Sequence, residues 1–481
     1  MTAAPDAGRV TETASAQPVS SVGLPQPQRA LAITAVLVAM TLVVLDAGMV
    51  NVALPTMTHA LATTPAHVVL VVTAYQTALV MALLPCATLG ERFGYRTVFV
   101  RGVALFIAAS VVCALAPSLP WLVAARFIQG LGGAAVMALG VALLRFSVPS
   151  GRLGAAIGWN ALTVALSSAA SPTLGALITT SAGWPWLYLI NLPLGLMALT
   201  AARGLPPVRG TATPIDLLSI GLNVAAFGAL VLGAELLPRE PSQAAAMAAI
   251  AALCMTLLVR REAPKAAPMI PLDLLRNGQF RLSVTASVCC FAGQTAGLVA
   301  LPFYFMHAFS ETPLTTGAYM TAWPLSVAAM ALLAGRLAER LSTAWLCAAG
   351  GGVLATGLAL MAFWPLEAGP RPLIVFAGIS GLGFGLFQTP NNRAIFLSAP
   401  PERSGAAGGM QGAARLTGQT AGTLLMTWLF TTTSMDVAPK TGLAVGAALA
   451  LAAGLVSLLK TQIGNAGLCG TISSPQKLPC A

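Results

Sequence analysis

Apolar runs about as long as a bilayer is thick constrain this chain more than any other feature. They fall at about 30–54, 67–89, 97–116, 120–145, 153–180, 184–202, 216–236, 243–259, 282–306, 315–335, 343–364, 371–391, 404–431 and 441–459. In hydrocarbon the backbone has to satisfy its own hydrogen bonds, and a helix of roughly 20 mostly apolar residues is enough to cross. The pattern therefore predicts an all-α integral membrane protein with fourteen transmembrane helices. Charged residues make up only 8% of the 481 and mean hydropathy is +0.82, which excludes a soluble enzyme, a disordered chain and a collagen-like one. The 47 glycines and 33 prolines agree, since helices in lipid carry more of both than soluble helices do.

Lysine and arginine give the orientation. With a cytoplasmic N-terminus, twenty of them fall on inner loops and tails, and only Arg239, Arg371 and Lys440 fall on outer loops. Such a bias puts both termini in the cytoplasm, which requires an even number of spans. The net charge of +11 is scattered singly between apolar runs rather than gathered on one face, so no nucleic acid partner is expected. Residues 1–29 are polar, without the short apolar core of a secretory signal, and the first span is expected to remain uncleaved. Six cysteines (Cys86, Cys113, Cys254, Cys289, Cys290 and Cys347) lie in apolar stretches, where a thiol is a small hydrophobe, and Cys469 and Cys480 lie in the polar tail. No cysteine pair has metal-ligand spacing, and His59, His67 and His307 stand singly near outer span ends, so neither a metal nor a cofactor is expected.

The chain repeats itself. Leu89-Gly90-Glu91-Arg92 after the second span returns 248 residues later as Leu337-Ala338-Glu339-Arg340 after the tenth. Gly130-Leu131-Gly132 in the fourth span returns 251 residues later as Gly381-Leu382-Gly383 in the twelfth. Two landmarks at nearly one offset predict two six-helix pseudo-repeat bundles, at 30–203 and 282–460. A linker at 204–281 carries two inserted helices, and cytoplasmic tails lie at 1–29 and 461–481. Halves related in this way are a mark of secondary transporters, whose substrate site lies near mid-membrane between them.

Asp46 is the most informative single residue. It lies among Val43, Val44, Leu45, Met49 and Val50, about eight residues or roughly 12 Å of helix from the outer end of its span. A carboxylate there costs several kcal/mol unless paired, hydrated or protonated, so it should face the bundle interior. Such a group can exchange a proton as access alternates, or it can be a structural carboxylate locked to an arginine. Arg126, at nearly the same depth in the fourth span, is the natural partner, since a guanidinium keeps its proton and can hold or release a carboxylate. An arginine that snorkels outward from the helix packing is the competing reading. Arg415, near mid-membrane in the thirteenth span, fits a counter-charge, an anion contact or a donor to backbone carbonyls. Asn51, Gln129 and Arg415 are candidates for the substrate cavity.

The short inner loop Gly90–Arg96 suits a latch. Gly94 permits the reversal, Glu91 can pair across the seam between halves, and Arg92 and Arg96 carry positive charge, with Glu339 and Arg340 as counterparts. A solvated hairpin that only sets topology is the other reading. In the fifth span Ser167, Ser168, Ala169, Ala170, Ser171, Pro172 and Gly175 form a small-residue stripe with a helix kink, suited to close packing. Gly381, Gly383 and Gly385 lie inside a span and follow no strand, which excludes a phosphate loop.

These residues together resemble the fourteen-span drug:proton antiporters of the major facilitator superfamily over nearly the whole chain. Leu45-Asp46 through Asn51 to Pro55 resembles the first-span motif, with Gly48 where threonine is frequent. The Glu91 loop is similar to the inner-loop motif, with Ala87 in place of its first glycine and Glu91 in place of its usual aspartate. Arg126-Phe127-Ile128-Gln129-Gly130 resembles the fourth-span motif, whose arginine the resemblance ties to proton coupling. The fifth-span stripe is similar to the antiporter motif, with Ser167, Ser171 and Ala176 in place of three glycines around Pro172. Trp184 to Gly195, Phe387 to Asn392 and Arg415 to Gln419 are also similar to family features. The wording is closest to a bacterial subgroup without an assigned substrate.

The resemblance implies a proton-coupled secondary transporter in the cytoplasmic membrane of a bacterium, a monomer that exports small hydrophobic compounds by alternating access. The alternative is a narrow metabolite carrier of the same fold, an importer included. Proton coupling would fall to Asp46 and Arg126, inner gating to the Glu91 and Glu339 loops, and the antiporter-type kink to Ser171, Pro172 and Gly175. The expected partners are the substrate, protons and the lipid bilayer. No HExxH, Ser-His-Asp arrangement or ATP motif is present, so no enzyme is expected.

Overall fold

The computed structural model describes residues 23–149, 152–207, 216–265, 272–400 and 403–471, with no side chains given beyond Lys460. The tail through Val22, Arg209 in the linker, and Lys477 and Cys480 near the C-terminus lie outside the described residues, and nothing is given for the side chain of Cys469. Fourteen helical rods follow in order. The first six are α1 (Gln28–Ala60), α2 (Pro65–Phe93), α3 (Tyr95–Ala114), α4 (Leu119–Ser147), α5 (Leu153–Ser181) and α6 (Trp186–Gly204). Next come α7 (Leu217–Leu236) and α8 (Pro241–Glu262). The last six are α9 (Gly278–Ala308), α10 (Pro313–Leu337), α11 (Thr343–Ala362), α12 (Arg371–Leu397), α13 (Ser404–Thr432) and α14 (Ala438–Thr471). No strand occurs among the described residues.

Local chemistry marks the ends. Thr64, Asp216, Asn277 and Thr312 cap α2, α7, α9 and α10 through their side-chain oxygens, while prolines open α2, α8 and α10, where a missing N–H costs nothing. Gly94 is the single residue between α2 and α3, at φ 92°, so the loop expected at Gly90–Arg96 is helix on both sides of one joint. Thirteen rods are long and apolar enough to cross a membrane by length and composition. The remaining one, α13, is diluted by Arg415, Gln411, Gln419 and several threonines, yet it packs along α9 and α2 like its neighbours.

Within the first six rods α2 packs on α4, α3 on α4, α1 on α4, α5 and α6, and α3 on α6. The same pairs recur in the last six: α10 on α12, α11 on α12, α9 on α12, α13 and α14, and α11 on α14. The repeated glycines explain why. A Cβ on Gly132 would sit 2.7 Å from the Gly102 carbonyl oxygen of α3, and one on Gly383 would sit 2.8 Å from the Gly350 carbonyl oxygen of α11. Gly130 and Gly381 lie equally tight against the carbonyls of Tyr75 on α2 and Trp323 on α10. In each half, then, the fourth helix fits against the second and third only where a side chain is missing.

The halves meet through two equivalent contacts, α2 with α13 and α5 with α10, and through α1 with α9. Helices α7 and α8 pack on each other, and α7 rests on α2 and α13 beside that seam. At the ends of α5 and α10 away from the basic side, Thr173 and Thr321 share a 2.6 Å hydrogen bond, and Gly317 is pressed on the Pro172 carbonyl. Towards the basic ends both helices carry exposed residues. Ile157, Gly158, Trp159, Ala161 and Leu162 are exposed on α5 while Ala156 stays buried, and no atom outside the helix itself lies within 4 Å of where a side chain on Gly158 or Gly335 would start.

Candidate functional site

Asp46 and Arg126 meet in the core of the first half. Arg126 Nη1 lies 2.5 Å from Asp46 Oδ2, with the two side chains 1% and 0% exposed. The other carboxylate oxygen, Oδ1, accepts from Asn191 Nδ2 of α6 at 2.7 Å and from Gln129 Nε2 of α4 at 3.0 Å. Gln129 in turn accepts from Arg126 Nη1 at 2.6 Å and donates to Ser110 Oγ of α3 at 2.8 Å, while Arg126 Nε donates to the Val71 carbonyl of α2 at 3.3 Å. Five helices thus meet in one network around this carboxylate. The guanidinium lies 4.2 Å above the Tyr75 ring and 5.6 Å from that of Tyr188, so aromatic faces cover the charge where donors and acceptors do not.

This geometry joins the predicted pair. Gln129, three residues after Arg126 and so on the same helix face, is fully buried and commits its amide to Asp46, Arg126 and Ser110. Ser110 and Asn191 also belong to the site; Ser110 carries no signal in the sequence, whereas Asn191 lies in the Trp184 to Gly195 stretch that is similar to a family feature. Ser110 also donates to the Phe106 carbonyl at 2.8 Å, which leaves its oxygen turned to receive Gln129 and Asn191.

From Asp46 the packing leads to α5. The Ser171 side chain fills the space beside Gly48, and a Cβ on Gly175 would sit 2.8 Å from Met49 Cα. Pro172 offers no N–H to the Ser168 carbonyl four residues back, and the Ser171 hydroxyl supplies it instead at 2.9 Å. Helix α5 accordingly continues through Pro172. Thr173, the next residue, carries the bond to Thr321 of α10.

The other predicted residues stand apart from this network. Arg415 of α13 reaches across the seam, with Nη2 3.9 Å from Met137 Sδ of α4, and its Nε is buried with no hydrogen-bond partner among the described residues. Asn51 Oδ1 is likewise buried and unpartnered. Glu91 and Arg92 are exposed at the end of α2 and Arg96 is half-buried at the start of α3, while Glu339 and Arg340 are exposed between α10 and α11. Arg393 of α12 donates to the Ala338 carbonyl at 2.8 Å and so secures that second turn. At the foot of the inserted pair, Arg261 grips Asp216 through Nε at 3.0 Å and Nη2 at 3.1 Å, and Lys265 adds a bond at 2.6 Å. The Arg261 bond first, and the Lys265 bond second, hold the Asp216 carboxyl well below its ordinary range.

Comparison with known proteins places this architecture. Residues 36–280 and 282–466 match the family model of the Major Facilitator Superfamily. The uncharacterised transporter YebQ of Escherichia coli is 41% identical over 413 residues, covering 85% of this chain and 90% of its own. The multidrug resistance protein Stp of Mycobacterium tuberculosis is 31% identical over 404 residues, covering 81% of this chain and 75% of its own. The riboflavin transporter RibZ of Clostridioides difficile is 29% identical over 367 residues, 76% and 80% of the two chains.

Proposed function

The chain belongs to the Major Facilitator Superfamily of membrane transporters, and from that premise we propose that it is a proton-coupled exporter of small hydrophobic compounds. The observation that carries this reading is the Asp46 carboxylate, sealed from solvent and held by one permanent cation and two amide donors. Protonation removes its charge and leaves the Arg126 guanidinium buried without a counter-ion, a state that costs about 3–5 kcal/mol. Moving a two-state protein from one conformer to the other takes a bias of about 5.5 kcal/mol, so one proton supplies most of it. A conformer that hydrates the pair then becomes the favoured one.

Asp46 is sealed from solvent, so the proton acts on substrate access through helix packing. The route runs from Asp46 to Gly48 and Met49, across to Ser171 and Gly175 on the proline-bearing stretch of α5, and through Thr173 to α10. The halves at 30–203 and 282–460 are the bodies that rock. Glu91, Arg92, Gly94 and Arg96, with Glu339 and Arg340, form the inner gate, and Asn51 and Arg415 present unpartnered polar atoms to the substrate. Both termini lie in the cytoplasm and the protein works as a monomer in the bacterial cytoplasmic membrane. A panel of hydrophobic compounds on energised inverted vesicles tests the reading: accumulation should collapse with an uncoupler. Accumulation that persists without a proton gradient would overturn it.

A carrier with one metabolite as substrate, an inward-directed one included, is the second reading. The likeness to a riboflavin transporter favours it, and a panel in which a single metabolite is moved and drugs are ignored would select it.

A further inference from the structure

Helix α7 lies outside the two repeats, and its flank against the first half encloses a groove of about 210 Å³. Leu70 and Met81 of α2, Phe127 of α4, and Gly228 and Leu232 of α7 make its walls apolar, and one carboxylate, Glu235, stands at its end. Among the described residues no hydrogen bond or ion pair reaches Glu235. Its natural helical partner four residues on, Arg239, turns away to His67 of α2, with Nη2 2.6 Å from Nε2. Glu240, next along, is bonded to Gln243. The carboxylate is thus left without a counter-charge beside an apolar slot.

We propose that this groove binds a lipophilic monocation, with Glu235 as the counter-charge and the slot from Leu232 to Gly228 as the seat of its apolar body. Glu235 and Gly228 are seven residues apart on one face of α7, roughly 10 Å of helix, and Glu235 is one residue from the end of the rod. An amphipathic cation in a bilayer takes the same posture, charge at the surface and body in the hydrocarbon. Phe127 adds an aromatic wall suited to a delocalised cation. Gly228 is where the slot has its depth, for a Cβ there would already touch Met81 Cε at 3.4 Å. Thr77 and Val231 border this groove and also a second, apolar crevice of about 280 Å³ between α2, α7 and α13, so the site adjoins the seam between halves. Arg415, the cation of that seam, lines neither space.

The test uses two probes of one shape, N-methyl-4-phenylpyridinium and its uncharged isostere 4-methylbiphenyl. Binding of each to the full-length protein in phosphatidylcholine nanodiscs is measured by equilibrium dialysis. The wild type should prefer the cation. Glu235→Gln should lower the ratio of cation to isostere affinity about tenfold, a factor equal to about 1.4 kcal/mol, and Glu235→Asp should retain most of it. Gly228→Leu, which fills the slot and keeps the charge, should weaken both probes. Wild-type binding without preference for the cation, or a ratio unchanged in Glu235→Gln protein that elutes normally from gel filtration, would overturn the proposal. No gradient is applied, so failure here leaves proton-coupled export standing, and loss of coupling elsewhere leaves this binding result standing.

Discussion

Asp46 and Arg126 are eighty residues apart in the chain and meet because each is too costly to leave alone in hydrocarbon at the same depth. That much was legible before any coordinates, from one acid and one base in apolar helices running in opposite directions. The rest of the site was not. Ser110 is a short polar residue of a kind scattered through lipid helices, and no periodicity separates it from those that bond only their own backbone; Asn191 lies in the Trp184 to Gly195 stretch, whose likeness to the family names no partner for it. Gln129 carries a usable signal in its spacing from Arg126, but hydrogen-bonding capacity alone does not say which way an amide turns. Asp46→Asn keeps the size of the side chain and loses ionisation. It should therefore insert normally and abolish gradient-driven uptake in proteoliposomes; uptake at the wild-type rate would end the coupling role. Arg126→Ala should lower thermal stability by about 3–5 kcal/mol, because it strands the buried carboxylate, whereas Asp46→Asn/Arg126→Gln should cost less than Arg126→Ala alone. If the double variant is the less stable of the two, the pair contributes more than it costs and the logic of release on protonation is wrong.

At the scale of the helix, most ends were legible to within a few residues because hydropathy and turn chemistry both change there, but α1 and α12 run six residues past the apolar run, to Ala60 and Leu397, and α14 runs twelve past it, to Thr471. The character of the joints was less so: the Gly90–Arg96 segment reads as a loop from its charges, but helical hydrogen bonding runs through it except at Gly94. The fifth-span stripe read as close packing with a kink, without saying against what. In the structure it locks on Gly48 and Met49, which gives Ser171, a serine in place of the family's usual glycine, a place of its own. Gly48→Ala would drive a methyl into Ser171 and should cost about 1–3 kcal/mol and most of the transport. Ser171→Gly in the same chain opens that space and should restore both, and a double variant as impaired as the single one would show that α1 and α5 do not interlock here. The inserted pair has its own test. Asp216 is held below its ordinary range in the folded state, so its tie to α8 is fully present above about pH 4 and is lost as pH falls through the folded value. Acidification from pH 6 to pH 3 should therefore lower the melting temperature of the wild type more than that of Asp216→Asn; equal losses would mean that the tie contributes nothing.

Over the whole molecule the two-fold repeat was legible from a pair of glycine triplets, and the structure supplies the cause, since each triplet lets a fourth helix lie against a second and a third. The conformer was not legible, because states that differ by a rocking of the halves share one sequence and one set of helices. In this one α5 and α10 are joined through Thr173 and Thr321, away from the basic face, while no other helix lies against Gly158 and Gly335 towards it. If the basic face is cytoplasmic, the joined side is the outer one, as suits a state in which an exporter collects its cargo. Impermeant thiol labelling of single cysteines in intact cells, in a cysteine-free background, reads the orientation: Ser242→Cys and Ser310→Cys should react and Ser342→Cys should not. The reverse pattern would put the joined side inside and make the same geometry that of an importer. A disulfide between Thr173→Cys and Thr321→Cys should then hold α5 and α10 together on the joined side. Oxidation should stop transport while leaving substrate binding from the cytoplasmic face intact, and reduction should restore transport. Turnover that continues with the bridge formed would mean that α5 and α10 need not part, and alternating access would have to run through α2 and α13 alone.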